Sequence, residues 1–364
     1  MAGNKSLNNA KSARVDEFYT QLSDIEKELR HYRKHFKDRI VLCNCDDPFE
    51  SNFFKYFVLN FNRLGLKKLI ATCYTGSPIA NQQLSIFDVL GDTEENRNTP
   101  YKAIVTTVYD KTGDGGIDMY DIAELFKSKE NELTVLEGNG DFRSPECLAL
   151  LDEADIVVTN PPFSLFRDYI GVLVEHDKSF IIVGNQNAIS YEESFALMKA
   201  NKMWLGATSP KEFIVPRDTG DRKNTYVCED GTIKAKFGNV CWLTNLDLKK
   251  RHEEMILVKR YSPEEYLKYV NYDAIEVSKV ADIPCDYAGK MGVPITFMEK
   301  YNPDQFEIVG ISRELVRTLS DDIKKNGAYA QIGRFYLDVG EAKYKKVYER
   351  LVIRNKHPEA PKEG

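Results

Sequence analysis

The loop Asn160-Pro161-Pro162-Phe163 carries the residue types best suited to chemistry. It directly follows an apolar run at 154–158 and precedes a stretch with helical periodicity from Leu165. The nitrogen of a planar exocyclic amine is a poor nucleophile, because its lone pair is delocalised into the ring. The side-chain oxygen of Asn160 and the carbonyl of Pro161 can accept its two hydrogens and free that lone pair. The loop therefore predicts methyl transfer from a sulfonium donor to such an amine.

The remaining features of this loop fit the same reaction. Proline fixes the backbone that carries the accepting carbonyl. The ring of Phe163 offers a face for an extruded base, a contact worth about 1–3 kcal/mol. Asparagine is not a general base near neutral pH, so the mechanism depends on positioning, and the proton leaves to water after the methyl arrives. The alternative interpretation is a rigid diproline turn between a strand and a helix.

Two other loops follow apolar runs and predict a cofactor pocket. After the run at 133–136 comes Gly138-Asn139-Gly140-Asp141-Phe142, in which Asp141 can accept from an adenosine amine and Phe142 can cover a purine. After the run at 40–43 comes NCDDP at 44–48, where Asn44, Asp46 and Pro48 are candidate cofactor contacts. A glycine-rich loop is usual there, yet no glycine occurs between Arg39 and Leu64. A plain turn and an N-cap are the respective alternatives.

The elements that position these loops alternate along the chain. Apolar runs at 40–43, 68–74, 103–108, 133–136, 156–158 and 180–183 are interleaved with helical stretches at 14–36, 51–62, 117–126, 145–151, 165–174 and 192–199. This alternation predicts an α/β domain with a largely parallel sheet and ligands at the carboxyl ends of its strands. After about residue 200 the rhythm changes to shorter runs with frequent turns. We therefore predict a catalytic and cofactor-binding domain at 1–200 and a second region at 201–364.

Composition and charge narrow the class of protein. The 364 residues are 42% hydrophobic and 29% charged, which is ordinary for a globular chain. No apolar run approaches the roughly 18 residues that span a bilayer, and the N-terminal sequence lacks the apolar core of a signal peptide. Seven scattered cysteines favour a reducing compartment. We expect a cytoplasmic protein without a membrane partner.

The net charge of −6 conceals an uneven distribution. Residues 41–140 hold 9 basic against 15 acidic side chains, whereas residues 201–260 hold 12 against 8 and residues 341–364 hold 7 against 4. This segregation is typical of a chain in which one region holds a small cofactor and another meets a polyanion, although ordinary surface scatter is an alternative. The candidate contacts to that polyanion, as phosphate- or base-binding residues, are Lys211, Arg217, Arg222, Lys223, Lys234 and Lys236.

Metal-binding patterns are weak. Aspartates and a glycine between Asp110 and Asp121 occupy positions of a calcium loop, but a strand-like run precedes them and the last ligand is Asp instead of Glu. His31 and His35 have helical spacing, yet two histidines on a basic surface rarely form a site. We predict no metal.

Five strings in the right order resemble one family, the EcoRI-type adenine-specific DNA methyltransferases. They are DEFYTQ at 16–21, CNCDDPFESNFFKYF at 43–57, GDFRSPE at 140–146, ADIVVTNPPFSLFRDY at 154–169 and IIVGNQNAISY at 181–191. The resemblance implies a Rossmann-like S-adenosylmethionine-dependent methyltransferase fold, with a mostly parallel sheet flanked by helices and a smaller mixed C-terminal recognition domain. It also implies that Phe18, Tyr19 and Thr20 close over the methionine end of the cofactor.

The family resemblance further implies methyl transfer to adenine N6 in duplex DNA, with the adenine flipped out of the helix. Asp46 and Pro48 match the cofactor loop, Asp141 and Phe142 match the pair that holds adenosine, and 160–163 matches the catalytic loop, in which Asn160 also contacts the cofactor. We expect a monomer, with a cognate restriction endonuclease as a possible partner at the same site. The alternatives are an RNA adenine or protein glutamine methyltransferase of the same fold, and a non-catalytic DNA- or cofactor-binding module.

Overall fold

The computed structural model describes residues 19–45, 51–73, 100–109, 125–126, 130–214, 225–325, 330–341 and 343–360. The chain divides into two compact units. The first comprises the described residues up to Ser194 together with Leu205–Asp247, and the second comprises Phe195–Trp204 together with the described residues from Leu248 onward. The units therefore do not follow a single boundary near residue 200.

The strands and helices of the described residues follow in chain order. The strands are β1 Tyr19–Thr20, β2 Ile40–Cys43, β3 Lys68–Thr72, β4 Tyr101–Val105, β5 Glu132–Val135, β6 Ile156–Thr159, β7 Ser179–Asn185, β8 Trp204–Leu205, β9 Glu212–Ile214, β10 Thr225–Val227, β11 Ile233–Lys236, β12 Val240–Thr244, β13 Ile275–Glu276, β14 Met291–Pro294, β15 Phe306–Ile311, β16 Tyr336–Asp338, β17 Tyr344–Lys346 and β18 Arg350–Asn355. The α-helices are α1 Leu22–Leu29, α2 Arg33–Phe36, α3 Asn52–Leu59, α4 Phe61–Leu64, α5 Pro145–Glu153, α6 Phe166–Glu175, α7 Glu192–Lys199, α8 Ser312–Leu315 and α9 Asp321–Lys325. None of these helices is both long enough and apolar enough to cross a membrane.

The first unit is built on a large mixed sheet with the strand order β5-β4-β3-β2-β6-β7-β12-β8. Its inner strands β3, β2, β6 and β7 are parallel. All residues of β2 and β6 are buried, because both faces of these apolar strands are covered, as is usual for parallel strands. The predicted α/β class with a parallel core is therefore confirmed.

The flanks of this sheet differ from a purely parallel arrangement. β4 pairs antiparallel with β3, β5 pairs antiparallel with β4, and β12 pairs antiparallel with β7 over five residues. A short apolar run indicates a buried strand but carries no signal for its direction, which explains why the sequence did not reveal these reversals. The pairing of β12 with β7 also explains why residues 240–244 belong to the first unit.

A smaller sheet joins the N-terminal segment to residues more than 190 positions away. Its order is β1-β9-β11-β10, and all its described pairings are antiparallel. Tyr19 pairs with Ile214 and Thr20 with Phe213. The predicted helix at 14–36 is therefore wrong at Tyr19 and Thr20, which form a strand, and helix begins only at Leu22. Helical periodicity cannot reveal a pairing between such distant segments.

A buried carboxylate holds the segment that leads into this small sheet. Glu28 of α1 is fully buried and accepts hydrogen bonds from the Tyr32 hydroxyl (2.8 Å), from the amide nitrogens of Ala207 (2.8 Å) and Thr208 (2.7 Å), and from the Thr208 hydroxyl (2.6 Å). Four donors compensate the cost of burying the charge. Burial and the neighbouring carboxylate raise the pKa of Tyr32, so its phenol stays a donor. Residues 207–208 are thereby fixed against α1.

The second unit has its own sheet and core. The sheet order is β13-β14-β18-β15, and β16 and β17 form a separate hairpin. Beneath them, the ring of Phe335 stacks on Tyr269 with centroids 4.4 Å apart. Arg350 and Glu276 form a nearly buried ion pair at 2.7 Å, and the Tyr269 hydroxyl also donates to Glu276. This unit therefore has a sheet and a hydrophobic cluster of its own.

Alanine substitutions at two separate glycines, Gly206 and Gly171, test how tightly residues 206–208 are packed. A Cβ at Gly206 would meet the Glu28 carboxylate and lie 2.5 Å from the Trp242 Cβ, whereas a Cβ at Gly171 in α6 would meet nothing within 4 Å. We expect Gly206→Ala to lower the free energy of unfolding by about 1–3 kcal/mol through overpacking. We expect Gly171→Ala to raise it by about 0.5–1 kcal/mol through helix propensity. Urea denaturation measures both, and a Gly206→Ala variant as stable as wild type would contradict the described packing.

Candidate active site

The Asn160 loop lies at the carboxyl end of β6, as the sequence predicts. Thr159 is the last residue of β6, and Asn160 and Pro161 are buried behind it. The amide nitrogen of Leu165 donates to the Pro162 carbonyl at 3.0 Å, which closes a 3₁₀ turn that leads into α6. Phe163 lies in this turn and is partly exposed. The loop therefore holds a polar side chain at the strand end with an aromatic ring three residues further on.

Asn44 is fixed beside this loop. β2 and β6 are neighbouring parallel strands, with Val41 opposite Ile156, so their carboxyl ends meet at one edge of the sheet. The Thr159 hydroxyl donates to the Asn44 carbonyl, and the Tyr169 hydroxyl of α6 donates to Asn44 Oδ1 at 2.5 Å. The structure thus brings together Asn44 and the strand end that carries Asn160.

Phe142 reaches the same place by a different route from the one that the sequence suggests. β5 is followed along the chain by β6, but in the sheet β4, β3 and β2 separate the two strands. The loop after β5 nevertheless places the Phe142 ring 5.0 Å from the Tyr169 ring, in an edge-on arrangement at 69°. Phe142 is 9% exposed. The loop, rather than strand adjacency, therefore brings this residue to the site.

Arg143 organises the carboxylate of Asp141. The Arg143 guanidinium donates from Nε to Asp141 Oδ1 (3.0 Å) and from Nη2 to Asp141 Oδ2 (2.8 Å), and its backbone amide also donates to Oδ1 (2.9 Å). These hydrogen bonds hold the pKa of Asp141 below its ordinary value. The same guanidinium lies 5.1 Å from the Phe142 centroid and 3.3 Å from Asp168. Asp141 is therefore ionised, with a fixed orientation.

Cys45 takes the backbone conformation that a glycine would favour in the loop predicted to bind the cofactor. Its φ is +78°, in the left-handed region that glycine adopts most easily. Its thiol is 3.6 Å from Asn44 Oδ1, within hydrogen-bond distance for sulfur. The chain therefore turns at the end of β2 with a cysteine in the backbone conformation that would favour glycine.

Thr20, an N-terminal candidate for a cofactor contact, is buried, and its carbonyl and its hydroxyl differ in their hydrogen bonding. Its carbonyl accepts from Asn52 Nδ2 at 2.8 Å, whereas its buried hydroxyl has no hydrogen-bond partner among the described residues. The backbone of Tyr19 pairs with β9. Phe18, Asp46 and Pro48 lie outside the described residues.

The described candidate DNA contacts lie on and beside the small sheet. Lys234 and Lys236 alternate with the buried Ala235 along β11, so the two lysines share its outer face. Lys236 pairs with Glu212 at 3.3 Å and lies 5.2 Å from the Tyr226 ring centroid. Lys211 is exposed and precedes β9 directly. Arg217, Arg222 and Lys223 lie outside the described residues.

Lys234 and Lys236 differ in how much a neighbouring carboxylate neutralises their positive charge. Hydrogen bonds from Tyr226 and then Lys236 hold the pKa of Glu212 below its ordinary value, so the carboxylate is ionised beside Lys236. Lys234 forms no ion pair within 4 Å among the described residues, and its charge acts only at longer range, where it adds to the effect of hydrogen bonds in lowering the pKa values of Glu212 and Asp230. The positive charge of Lys234 is therefore more available to a polyanion than that of Lys236.

No grouping of three metal-ligating His, Cys, Asp or Glu side chains occurs within the described ranges. The calcium-like spacing from Asp110 to Asp121 lies outside them. His31 lies in the turn between α1 and α2, His35 lies in α2, and His35 Nε2 is 3.0 Å from the Asp247 carbonyl.

Sequence reasoning missed Tyr169 and Arg143 as parts of the site. Tyr169 occupies the buried face of α6 with Phe166, Ile170 and Leu173, so its spacing reads as ordinary core. Arg143 stands in a short loop whose partners are set by tertiary structure. The signal for Arg143 was its position directly after the Asp141-Phe142 pair, and the signal for Tyr169 was its place at the end of the family-like string 154–169.

Comparison with known proteins places the chain in a family. The model of the adenine-specific methyltransferase EcoRI family matches residues 6–356. The chain belongs to this family. It is 46% identical over 318 residues to the type II methyltransferase M.EcoRI of Escherichia coli, which covers 85% of this chain and 89% of that protein. It is 35% identical over 357 residues to the type II methyltransferase M.MpnI of Mycoplasma pneumoniae, covering 96% and 98%.

A third relative, the type II methyltransferase M.MgeORF184P of Mycoplasma genitalium, is 34% identical over 357 residues, with the same coverage. No solved structure matches the chain. The family assignment confirms the predicted resemblance, and the protein is an adenine-specific methyltransferase.

The backbone at Cys45 generates a stability prediction. Cys45→Gly removes the cost of a left-handed non-glycine residue, about 1–2 kcal/mol, while the freer unfolded chain offsets about 0.4–1 kcal/mol of that gain. We expect its free energy of unfolding to lie between the wild-type value and about 1.5 kcal/mol above it. Cys45→Val should be destabilised by about 1–3 kcal/mol, because a β-branched residue tolerates positive φ poorly.

Thermal and urea denaturation check this pair of variants. Cys241→Val in the extended strand β12 is the matched control, since it makes the same change without the backbone cost. Equal stability of Cys45→Val and Cys45→Gly would show that the turn does not depend on a left-handed residue.

Proposed function

We propose that the protein transfers a methyl group from S-adenosylmethionine to the exocyclic N6 of an adenine that is turned out of duplex DNA. The observation that carries this proposal is the edge of the sheet where Asn160, Asn44 and Phe142 converge, with Asn44 and Phe142 both in contact with Tyr169. An amide acceptor and aromatic rings at one strand edge suit a planar amine substrate and a purine-containing cofactor. Membership of an adenine-specific family supports the same reaction.

The chain's residues fit S-adenosylmethionine, which when bound supplies an electrophilic methyl group on a sulfonium. Asp141, ionised and oriented by Arg143, would accept from the adenosine amine, and Phe142 would cover the purine. The buried Thr20 hydroxyl, unpaired among the described residues, would find an acceptor or donor in the methionine end. Phe18, Tyr19, Asp46 and Pro48 complete the proposed cofactor contacts.

Catalysis in this proposal depends on position rather than on proton abstraction. Asn160 Oδ1 and the Pro161 carbonyl accept the two hydrogens of the adenine amine and direct its lone pair outwards. Phe163, partly exposed in its 3₁₀ turn, stacks on the flipped base. Pro162 accepts from Leu165, which keeps the loop rigid before the substrate arrives. The proton is released to water after methyl transfer.

Target recognition is proposed for the chain after residue 200. The described basic candidates Lys211, Lys234 and Lys236 belong to the first compact unit, together with the catalytic sheet. They would contact phosphates near the reacting base, and the second unit would extend the contact with DNA. The protein would act as a monomer and protect host DNA at the site that a cognate endonuclease cuts, as befits relatives named type II methyltransferases.

Tritiated methyl transfer from S-adenosylmethionine tests the substrate class. Unmethylated genomic duplex DNA, RNA and protein are offered in parallel, and label should enter DNA alone, at adenine. Label only in RNA or only in protein would overturn the proposal and show that the protein is an RNA adenine or a protein glutamine methyltransferase. No transfer to any acceptor, with cofactor or DNA still bound, would favour a non-catalytic binding module.

Asn160→Ala tests the mechanism. Because it removes one of two hydrogen-bond acceptors for the amine, we expect the methylation rate to fall about 100-fold or more, with binding of DNA and cofactor changed only slightly. Single-turnover methylation and equilibrium binding measure the two effects. Asn62→Ala in α4, which removes an amide that donates to the Val108 carbonyl, is the control. An unchanged rate in Asn160→Ala would end this mechanism.

Lys234→Gln tests the proposed DNA contact. We expect weaker DNA binding and a plot of log affinity against log salt whose slope falls in magnitude by about 0.9, because one phosphate contact releases one condensed counterion. Lys236→Gln should have a smaller effect, since Glu212 already pairs with this lysine. Lys27→Gln, on an exposed lysine paired with Asp24, is the control. An unchanged salt slope in Lys234→Gln would remove Lys234 from the DNA contacts.

A further inference from the structure

Tyr169 contacts two of the proposed cofactor-binding loops at once. It lies in α6, nine residues after Asn160, and is 1% exposed. Its hydroxyl donates to Asn44 at the end of β2, and its ring contacts Phe142 in the loop after β5. The helix that follows the catalytic loop therefore supports both other loops through a single side chain.

The hydrogen bond to Tyr169 fixes which way the Asn44 amide faces. Burial raises the pKa of Tyr169 well above its ordinary value, so the phenol is neutral and donates its one proton. Asn44 Oδ1 accepts that proton, and Nδ2 has no acceptor among the described residues. The Asn44 backbone is held separately by the Thr159 hydroxyl. The amide is consequently oriented with its donor group unused.

The ring of Tyr169 has a second role in placing Phe142. Tyr169 lies on the buried face of α6, and its edge-on contact with Phe142, with ring centroids 5.0 Å apart, supports the Phe142 ring against that face. Arg143 lies 5.1 Å from the same ring and pairs with Asp141. The Phe142 ring thus contacts both the Tyr169 ring and the Arg143 guanidinium.

We propose that Tyr169 is a positioning residue for the cofactor, which turns the Asn44 Nδ2 donor towards an acceptor oxygen of bound S-adenosylmethionine and supports Phe142 against its purine. The acceptor is chemically a carboxylate or a ribose hydroxyl, the groups of this cofactor that accept from an amide. This inference rests on the proposed function, because it assumes that the Asn44 and Phe142 loops hold that cofactor. Tyr169 acts through these residues and does not touch the methyl group.

Tyr169→Phe separates the hydroxyl from the ring. We expect the Kd for S-adenosylmethionine, measured by equilibrium dialysis, to rise about tenfold, the effect of losing a buried hydrogen bond of about 1.4 kcal/mol. The rate at saturating cofactor and the KM for DNA should stay within about twofold of wild type. Tyr56→Phe, the same change at a buried tyrosine in α3, is the matched control and should leave the cofactor Kd unchanged. An unchanged Kd in Tyr169→Phe would overturn the inference.

A double-mutant cycle distinguishes positioning through Asn44 from a general loss of packing. Asn44→Ala should weaken cofactor binding, and Tyr169→Phe should add little further loss in the double variant, because the hydroxyl has then no amide to orient. Additive losses would mean that Tyr169 does not act through Asn44. Asn44→Asp keeps an acceptor for Tyr169 but removes the Nδ2 donor, so it should weaken cofactor binding even if Tyr169→Phe does not fold, and unaltered binding would overturn the inference.

Wild-type protein measured in the same experiments keeps the two proposals apart. If wild type does not bind S-adenosylmethionine or methylate DNA, the proposed function fails. If wild type does both and the Tyr169 and Asn44 variants bind cofactor as wild type does, only the role of Tyr169 fails.

Discussion

The parallel pairing of β2 with β6 is the constraint on which the proposed active site depends. Two parallel neighbours end at the same edge of a sheet, and here those ends carry Asn44 and Asn160. The Thr159 hydroxyl joins the two ends directly by donating to the Asn44 carbonyl. The sheet itself therefore places the proposed catalytic amide of Asn160 beside the Asn44 loop, which is proposed to hold the cofactor.

Because these polar groups are buried, each one that lacks a hydrogen-bond partner destabilises the fold. A buried amide or hydroxyl without a partner costs about 1–3 kcal/mol, so Tyr169, Thr159 and Asn44 satisfy one another. The same logic governs Glu28, whose four donors fix residues 207–208 and thus the entry to β9. The Thr20 hydroxyl, by contrast, is buried without a hydrogen-bond partner among the described residues, and a ligand bound at the proposed cofactor site would supply one.

The small sheet brings a segment proposed to contact the cofactor next to strands proposed to contact DNA, although the two are far apart along the chain. β1, which belongs to the segment expected to close over the cofactor, pairs with β9, and β9 pairs with the lysine-bearing β11. Residues about 200 positions apart therefore share one set of backbone hydrogen bonds. Because the outer face of β11 carries Lys234 and Lys236, the proposed phosphate contacts lie in the same compact unit as the catalytic loop.

The sequence by itself determined the elements and motifs whose information is local. The strand at 40–43 and the helix at 192–199 were predicted at their observed bounds, and helix α6 within one residue, because apolar periodicity and loop chemistry are properties of neighbouring residues. The loop at 160–163 was likewise predictable, since a short polar loop after a buried strand has a recognisable sequence pattern. Asn44, Asp141 and Phe142 were predicted as cofactor contacts for the same reason.

Only the tertiary structure decided how these pieces meet. The antiparallel direction of β4, β5 and β12, the pairing of Tyr19 with Ile214 and the left-handed turn at Cys45 depend on contacts between distant residues or on backbone geometry. Tyr169 was hidden for a related reason, since a buried tyrosine at helical spacing has the same local pattern whether it fills a core or orients an amide. Hydrophobic periodicity records that a side chain is buried, but the partner against which it is buried is set by the fold.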